Sequence, residues 1–187
     1  AADGVSIAPL ARDMVTAYAA RVAGSAPAWS PLAVQYIDYA IWQRHVVESG
    51  EPSLLDRQLS YWRETLRGIP EQIDLPTDRP RPPVQSMRGA TYVFDVDAGT
   101  HAALEGLARE RNASLFMVMH AALSVLLGRL SGTDDVAVGT PIAGRGDAAL
   151  DDLIGMFVNT LVLRVQLSQD ERFDDLLSRV RETDLQA

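Results

Sequence analysis

Ile154-Gly155-Met156-Phe157-Val158-Asn159-Thr160-Leu161-Val162-Leu163-Arg164 is the stretch on which the reading of this chain turns. From Phe157 onward the residues alternate with the period of two that marks a β-strand. One face carries Phe157, Asn159, Leu161, Leu163, Val165 and Leu167, and the other carries Val158, Thr160, Val162, Arg164 and Gln166. Asn159 therefore falls on the apolar face. A buried amide costs about 1–3 kcal/mol unless it is hydrogen-bonded, so a polar partner is expected there and Asn159 becomes a candidate site residue. It reads either as a core amide tying two backbone segments together or as part of a binding tunnel.

Working outward, the Gly-rich turn Gly139-Thr140-Pro141-Ile142-Ala143-Gly144-Arg145-Gly146 precedes that strand, and a short buried strand, Val136 to Val138, runs into it. The turn lacks the Gly-Lys-Ser/Thr ending of a phosphate loop. Upstream, Leu115 to Leu130 reads as a helix capped by Ser114, apolar nearly all round and so expected to be buried between layers. Thr100 to Arg111 reads as a helix and Ala90 to Val96 as a strand. Residues 69–83 hold five of the ten prolines, which rules out a helix interior or a central strand. Before them lie three helices: Ser6 to Arg21, Leu32 to Glu48, and one striped by Leu55, Leu59, Trp62 and Leu66 that ends at Gly68. A last helix runs from Phe173 to the end. Strands alternating with helices in the second half give an α/β class.

Composition narrows the function. Apolar residues make up 47% of the 187, and 17 basic against 25 acidic residues leave a net charge of −8. That balance argues against a general binder of nucleic acid or of anionic membranes. All 17 basic residues are Arg, and no Cys is present, which removes disulfides, thiolate nucleophiles and Cys-based metal sites. The three histidines, His45, His101 and His120, lack zincin spacing, and no Gly-x-Ser-x-Gly elbow occurs. No metal site is expected, and a cytoplasmic protein is the default.

Three ordered stretches resemble the signatures of condensation domains of non-ribosomal peptide synthetases. Residues 154–164, Ile-Gly-x-Phe-Val-Asn-Thr-Leu-x-Leu-Arg, are similar to that family's fifth signature. Tyr36-Ile37-Asp38-Tyr39-Ala40-Ile41-Trp42-Gln43 is similar to the fourth. Ala2-Asp3-Gly4-Val5-Ser6 is similar to the end of the third, His-His-x-x-x-Asp-Gly.

The resemblance implies a two-lobed, chloramphenicol acetyltransferase-like fold, here incomplete. Residues 1–83, with the crossover 69–83, would form the end of the first lobe, and 84–187 would open the second. It implies an internal fragment, with the catalytic His expected upstream of Ala1, a sixth signature downstream, and no activity in the piece alone. Asp3 and Gly4 would be the motif remnant, with Asp3 paired to Arg145. Asn159 would lie near the acceptor tunnel. Tyr36, Asp38, Trp42, Gly155 and Phe157 would pack the signatures, Asp38 as a satisfied carboxylate. The implied reaction is amide formation between a donor peptidyl or acyl thioester and an acceptor aminoacyl thioester. Both ride on phosphopantetheine arms of partner carrier domains beside an adenylation domain, and no cofactor is bound directly. Two alternatives stay open: a non-catalytic carrier-protein recruiting module of the same fold, and a coenzyme A-dependent acyltransferase.

Overall fold

The computed structural model describes all of residues 1–187. The elements run α1 (Ile7–Val22), α2 (Tyr36–Glu48), α3 (Leu54–Thr65), α4 (Ala98–Glu110), α5 (Leu115–Ser131), β1 (Asp135–Ile142), β2 (Asn159–Gln166) and α6 (Phe173–Gln186), with a 3-10 turn at Ala148–Leu150. Two compact units emerge, Ala1–Thr65 with Thr140–Leu161 and Leu66–Gly139 with Val162–Ala187. The proline-rich stretch falls in the second of these units, and residues 140–161 belong to the first.

In the first unit the buried hydrophobic cluster comes from the connection between β1 and β2. Leu150, Leu153 and Phe157 form its core, with Val34 and Tyr39 packed against them. α2 starts at Tyr36 rather than at Leu32. The Asp38 carboxylate accepts the Gln35 N–H at 2.8 Å, which satisfies a donor that the first turn leaves without an intrahelical partner.

The second unit packs α4, α5 and α6 around Ala108, Val118, Ala121, Val165, Leu176, Leu177 and Val180. The Ser114 hydroxyl caps α5 by accepting the Met117 N–H at 3.2 Å, and Gly132 ends the helix in the left-handed region at φ +70°. The expectation that α5 is buried all round is corrected. One face, Val118, His120, Ala121, Ser124 and Gly128, is buried, while Phe116, Leu126 and Leu130 are exposed.

β1 and β2 pair as a two-stranded sheet, and β1 reaches Ile142, taking in the first half of the Gly-rich turn. Arg164 grips Asp135 with a two-pronged contact, Nε to Oδ1 at 2.9 Å and Nη2 to Oδ2 at 2.6 Å. The geometry of such a fork explains why an Arg stands on the outward face of the strand. Ala90 to Val96, read as a strand, joins no sheet: neither β1 nor β2 takes it as a neighbour. Its alternation is real, yet Tyr92, Val93 and Phe94 stand in solvent.

No single helix is long and apolar enough to cross a membrane.

Candidate functional site

Asp3 is almost fully buried at the entry to α1, and both of its carboxylate oxygens accept hydrogen bonds. Its Oδ1 accepts from the Ser6 N–H at 2.9 Å, the Ser6 hydroxyl at 2.7 Å and Arg145 Nη2 at 3.1 Å. Its Oδ2 accepts the Phe157 N–H at 3.1 Å, and its own backbone N–H donates to the Gly155 carbonyl at 3.1 Å. The carboxyl is held far below the usual carboxylate range. The Ser6 hydroxyl is the first cause, burial opposes it, and the backbone donors of Ser6 and Phe157 and then Arg145 add to the lowering. A carboxylate so stabilised is a poor proton acceptor. Asp3 is therefore a structural anion.

Arg145 answers it from the turn after β1. The Asp3 and Arg145 side chains are 1% and 4% exposed, so little water screens the pair. Arg145 Nη1 donates to the carbonyls of Leu150 and Leu153, Nη2 donates to Asp3 and to the Ser6 hydroxyl, and the guanidinium carbon lies 4.0 Å from the centre of the Phe157 ring. Both carbonyls are offered by the 3-10 turn and the bend after it, which the Asp147 side chain opens by accepting the Ala149 N–H at 2.8 Å. Desolvation of a buried ion pair is offset only when the remaining hydrogen-bonding capacity is filled. Here Nε alone lacks a partner.

Two glycines make room. Gly144 sits at φ +66°, and a Cβ there would lie 2.1 Å from the Phe157 carbonyl oxygen. A Cβ on Gly155 would lie 2.2 Å from the Tyr36 ring. Glycine at 155 lets Tyr36 lie against the backbone, donate its hydroxyl to the Met156 carbonyl at 2.8 Å and meet the Phe157 ring edge-on at 5.3 Å.

The fourth-signature stretch is only partly as read. Tyr39 makes the closer aromatic contact, 4.8 Å from Phe157. Trp42 reaches only Tyr39, at 6.0 Å, and is 59% exposed. Asp38 serves the α2 start and does not join the clamp. Asn159 requires a correction. It is exposed, and its side-chain oxygen accepts the Thr160 N–H at 2.8 Å. The alternation is kept at Phe157, Leu163 and Val165, which are buried, but β2 only begins at Asn159, ahead of the covered part of its face.

Ser6, 1% exposed, was not singled out from the sequence. The available signal was its position three residues after Asp3 at a helix start, where a side-chain oxygen and a backbone N–H three residues on commonly pair. No group of three His, Cys, Asp or Glu side chains is arranged to hold a metal ion.

The clamp thus joins Asp3-Gly4 to the Gly-rich turn and to the Ile-Gly-x-Phe stretch; two of these segments carry signature stretches, and Tyr36 and Tyr39 of the remaining signature pack on Phe157. The condensation-domain family model matches residues 1–187. The chain belongs to the condensation-domain family. It is 56% identical to a probable non-canonical non-ribosomal peptide synthetase, CymA, of Salinispora arenicola, over 100% of this chain and 2% of that one. It is 53% identical to the isonitrile lipopeptide synthase of Mycobacterium tuberculosis, over 100% of this chain and 8% of that one. Among solved structures, the X-domain in complex with OxyB from teicoplanin biosynthesis matches with a TM-score of 0.91 at 37% identity, covering 99% of this chain and 41% of that one. A four-domain non-ribosomal peptide synthetase bound to AMP and glycine matches with a TM-score of 0.81 at 29% identity, over 99% of this chain and 14% of that one. This condensation-domain chain therefore has part of the chloramphenicol acetyltransferase-like α/β fold, and spans a small fraction of the synthetases it resembles. Condensation domains of such synthetases catalyse amide-bond formation and work with carrier domains bearing phosphopantetheine.

Proposed function

We propose that the protein carrying this chain forms an amide bond between a donor peptidyl or acyl thioester and an acceptor aminoacyl thioester, each presented on a carrier domain's phosphopantetheine arm. The observation that supports it is the buried Asp3–Arg145 pair, in an Asp-Gly motif whose family pattern has His-His just before it. A thioester is already activated, so the task is to align amine and carbonyl and to manage one proton. On this reading residues 1–83 close the first lobe and 84–187 open the second. Asn159 lies beside the acceptor path, and the protein works in the cytoplasm next to an adenylation domain.

A second reading is a recruiting module that binds a partner protein without chemistry. It draws support from the TM-score of 0.91 to an X-domain seen in complex with OxyB. The full-length protein decides between them when it is mixed with loaded donor and acceptor carriers and the arms are weighed by intact mass spectrometry. Transfer that is lost when the second His of the motif is replaced by Ala supports condensation. No transfer from a folded protein, with either His missing from the motif, supports recruitment.

A further inference from the structure

The Ser6 hydroxyl is used to its full capacity. A hydroxyl has one proton to give and two lone pairs to share. Four groups surround this one: Asp3 Oδ1 at 2.7 Å, the Gly155 carbonyl at 3.0 Å, the Gly155 N–H at 3.1 Å and Arg145 Nη2 at 3.0 Å. Its proton goes to Asp3. That contact is the shortest and ends on an anion, which makes the stronger bond, and the Gly155 carbonyl already receives the Asp3 N–H. Both lone pairs are then taken, one by Gly155 N–H and one by Arg145. Ser6 thus hydrogen-bonds to all three clamp segments at once, at residues 3, 145 and 155, as Asp3 does through Arg145 and Phe157.

Resting on the condensation reading, we propose that Ser6 is a positioning residue for that reaction. Its hydroxyl sets the orientation of the Asp3 carboxylate, and through it the conformation of the Asp-Gly loop that follows the motif histidines. It does not touch the reacting atoms. Arg145 and the backbone donors hold Asp3 in place without it, but they leave Oδ1 one donor short, and Gly155 N–H and one Arg145 proton lose their acceptor. A loop with several near-equal settings holds a reacting group in the productive one for less of the time, so the chemical step slows while binding of the carrier arms does not.

Steady-state kinetics of the full-length protein test this, with carrier-bound donor and acceptor. Ser6→Ala is expected to lower kcat by about tenfold or more with KM for the acceptor arm within about twofold. Ser6→Cys fills the volume but hydrogen-bonds weakly, so it is expected to be as slow as Ser6→Ala; it serves if the alanine variant does not fold. Ser6→Thr keeps the hydroxyl and is expected within about threefold of wild type. Because Ser6 acts through Asp3, Ser6→Ala combined with Asp3→Asn should be no slower than Asp3→Asn alone. Wild-type kcat in Ser6→Cys, or losses that add in the double variant, overturn the proposal. A wild-type protein that makes no amide bond overturns the condensation reading instead.

Discussion

At the scale of single residues, the clamp works because its buried charges are paired and, Arg145 Nε apart, the guanidinium's nitrogens are all hydrogen-bonded. Asp3 has its value lowered by four donors. A carboxyl depressed in the folded state contributes stability above its unfolded value of 3.8, and that contribution is lost as pH falls below it. Hydrogen exchange of the α1 peptide should accelerate as pH drops from about 4 toward 2, after correction for the intrinsic rate, and Asp3→Asn should remove that component while loosening α1 already at neutral pH. An acid profile identical in the two proteins would contradict the assignment. Gly155 carries the steric half of the clamp. Gly155→Ala places a methyl 2.2 Å from the Tyr36 ring, and the resulting overpacking should cost about 1–3 kcal/mol in a denaturant titration, with Tyr36→Ala in the same chain recovering part of it. Little of this was legible beforehand. Asp3 and Arg145 could be paired only through the resemblance, because no periodicity links positions so far apart. Ser6 was hidden by being an ordinary serine at a helix start.

At the scale of elements, the sequence carried most of the helices, and its failures have one physical form. Ser114 and Gly132 mark the two ends of α5 by cap and left-handed turn, and both marks are local. Alternation at 90–96 and at Asn159 is equally local, but whether a face is covered depends on a neighbour that alternation does not name. The buried pair of α5 and α6 shows the same limit. His120 Nδ1 lies 2.9 Å from Asp184 Oδ1, with the side chains 3% and 4% exposed, and no local pattern links positions so far apart in sequence. Burial pushes the Asp184 carboxyl up, against the lowering effect of His120. A group raised in the folded state contributes stability that is fully present below its unfolded value of 3.8 and is lost as pH rises through the raised folded value. Asp184→Asn cannot ionise and still accepts from the imidazole. Hydrogen exchange of α6 peptides should therefore show wild-type protection falling as pH rises above about 4, and a flatter profile in Asp184→Asn. Equal slopes would remove Asp184 from the account.

At the scale of the whole molecule, the family was legible because its three signatures occur in order along the chain, and their order survives any error in element boundaries. The discontinuous units were not legible, since a chain that leaves a unit and returns to it gives no compositional break at the point of return. The acidic balance fits a domain that aligns substrates carried by others rather than one that grips a polyanion. The most direct measurement is a single-turnover reaction of the full-length protein, with a donor acyl group on one carrier arm and an aminoacyl group on the other. The account predicts that the acceptor arm gains the donor's acyl mass through a bond stable to thioester-cleaving hydroxylamine, while the donor arm returns to free thiol. Donor lost only to water, with the acceptor mass unchanged in a folded protein that keeps its motif histidines, would contradict it.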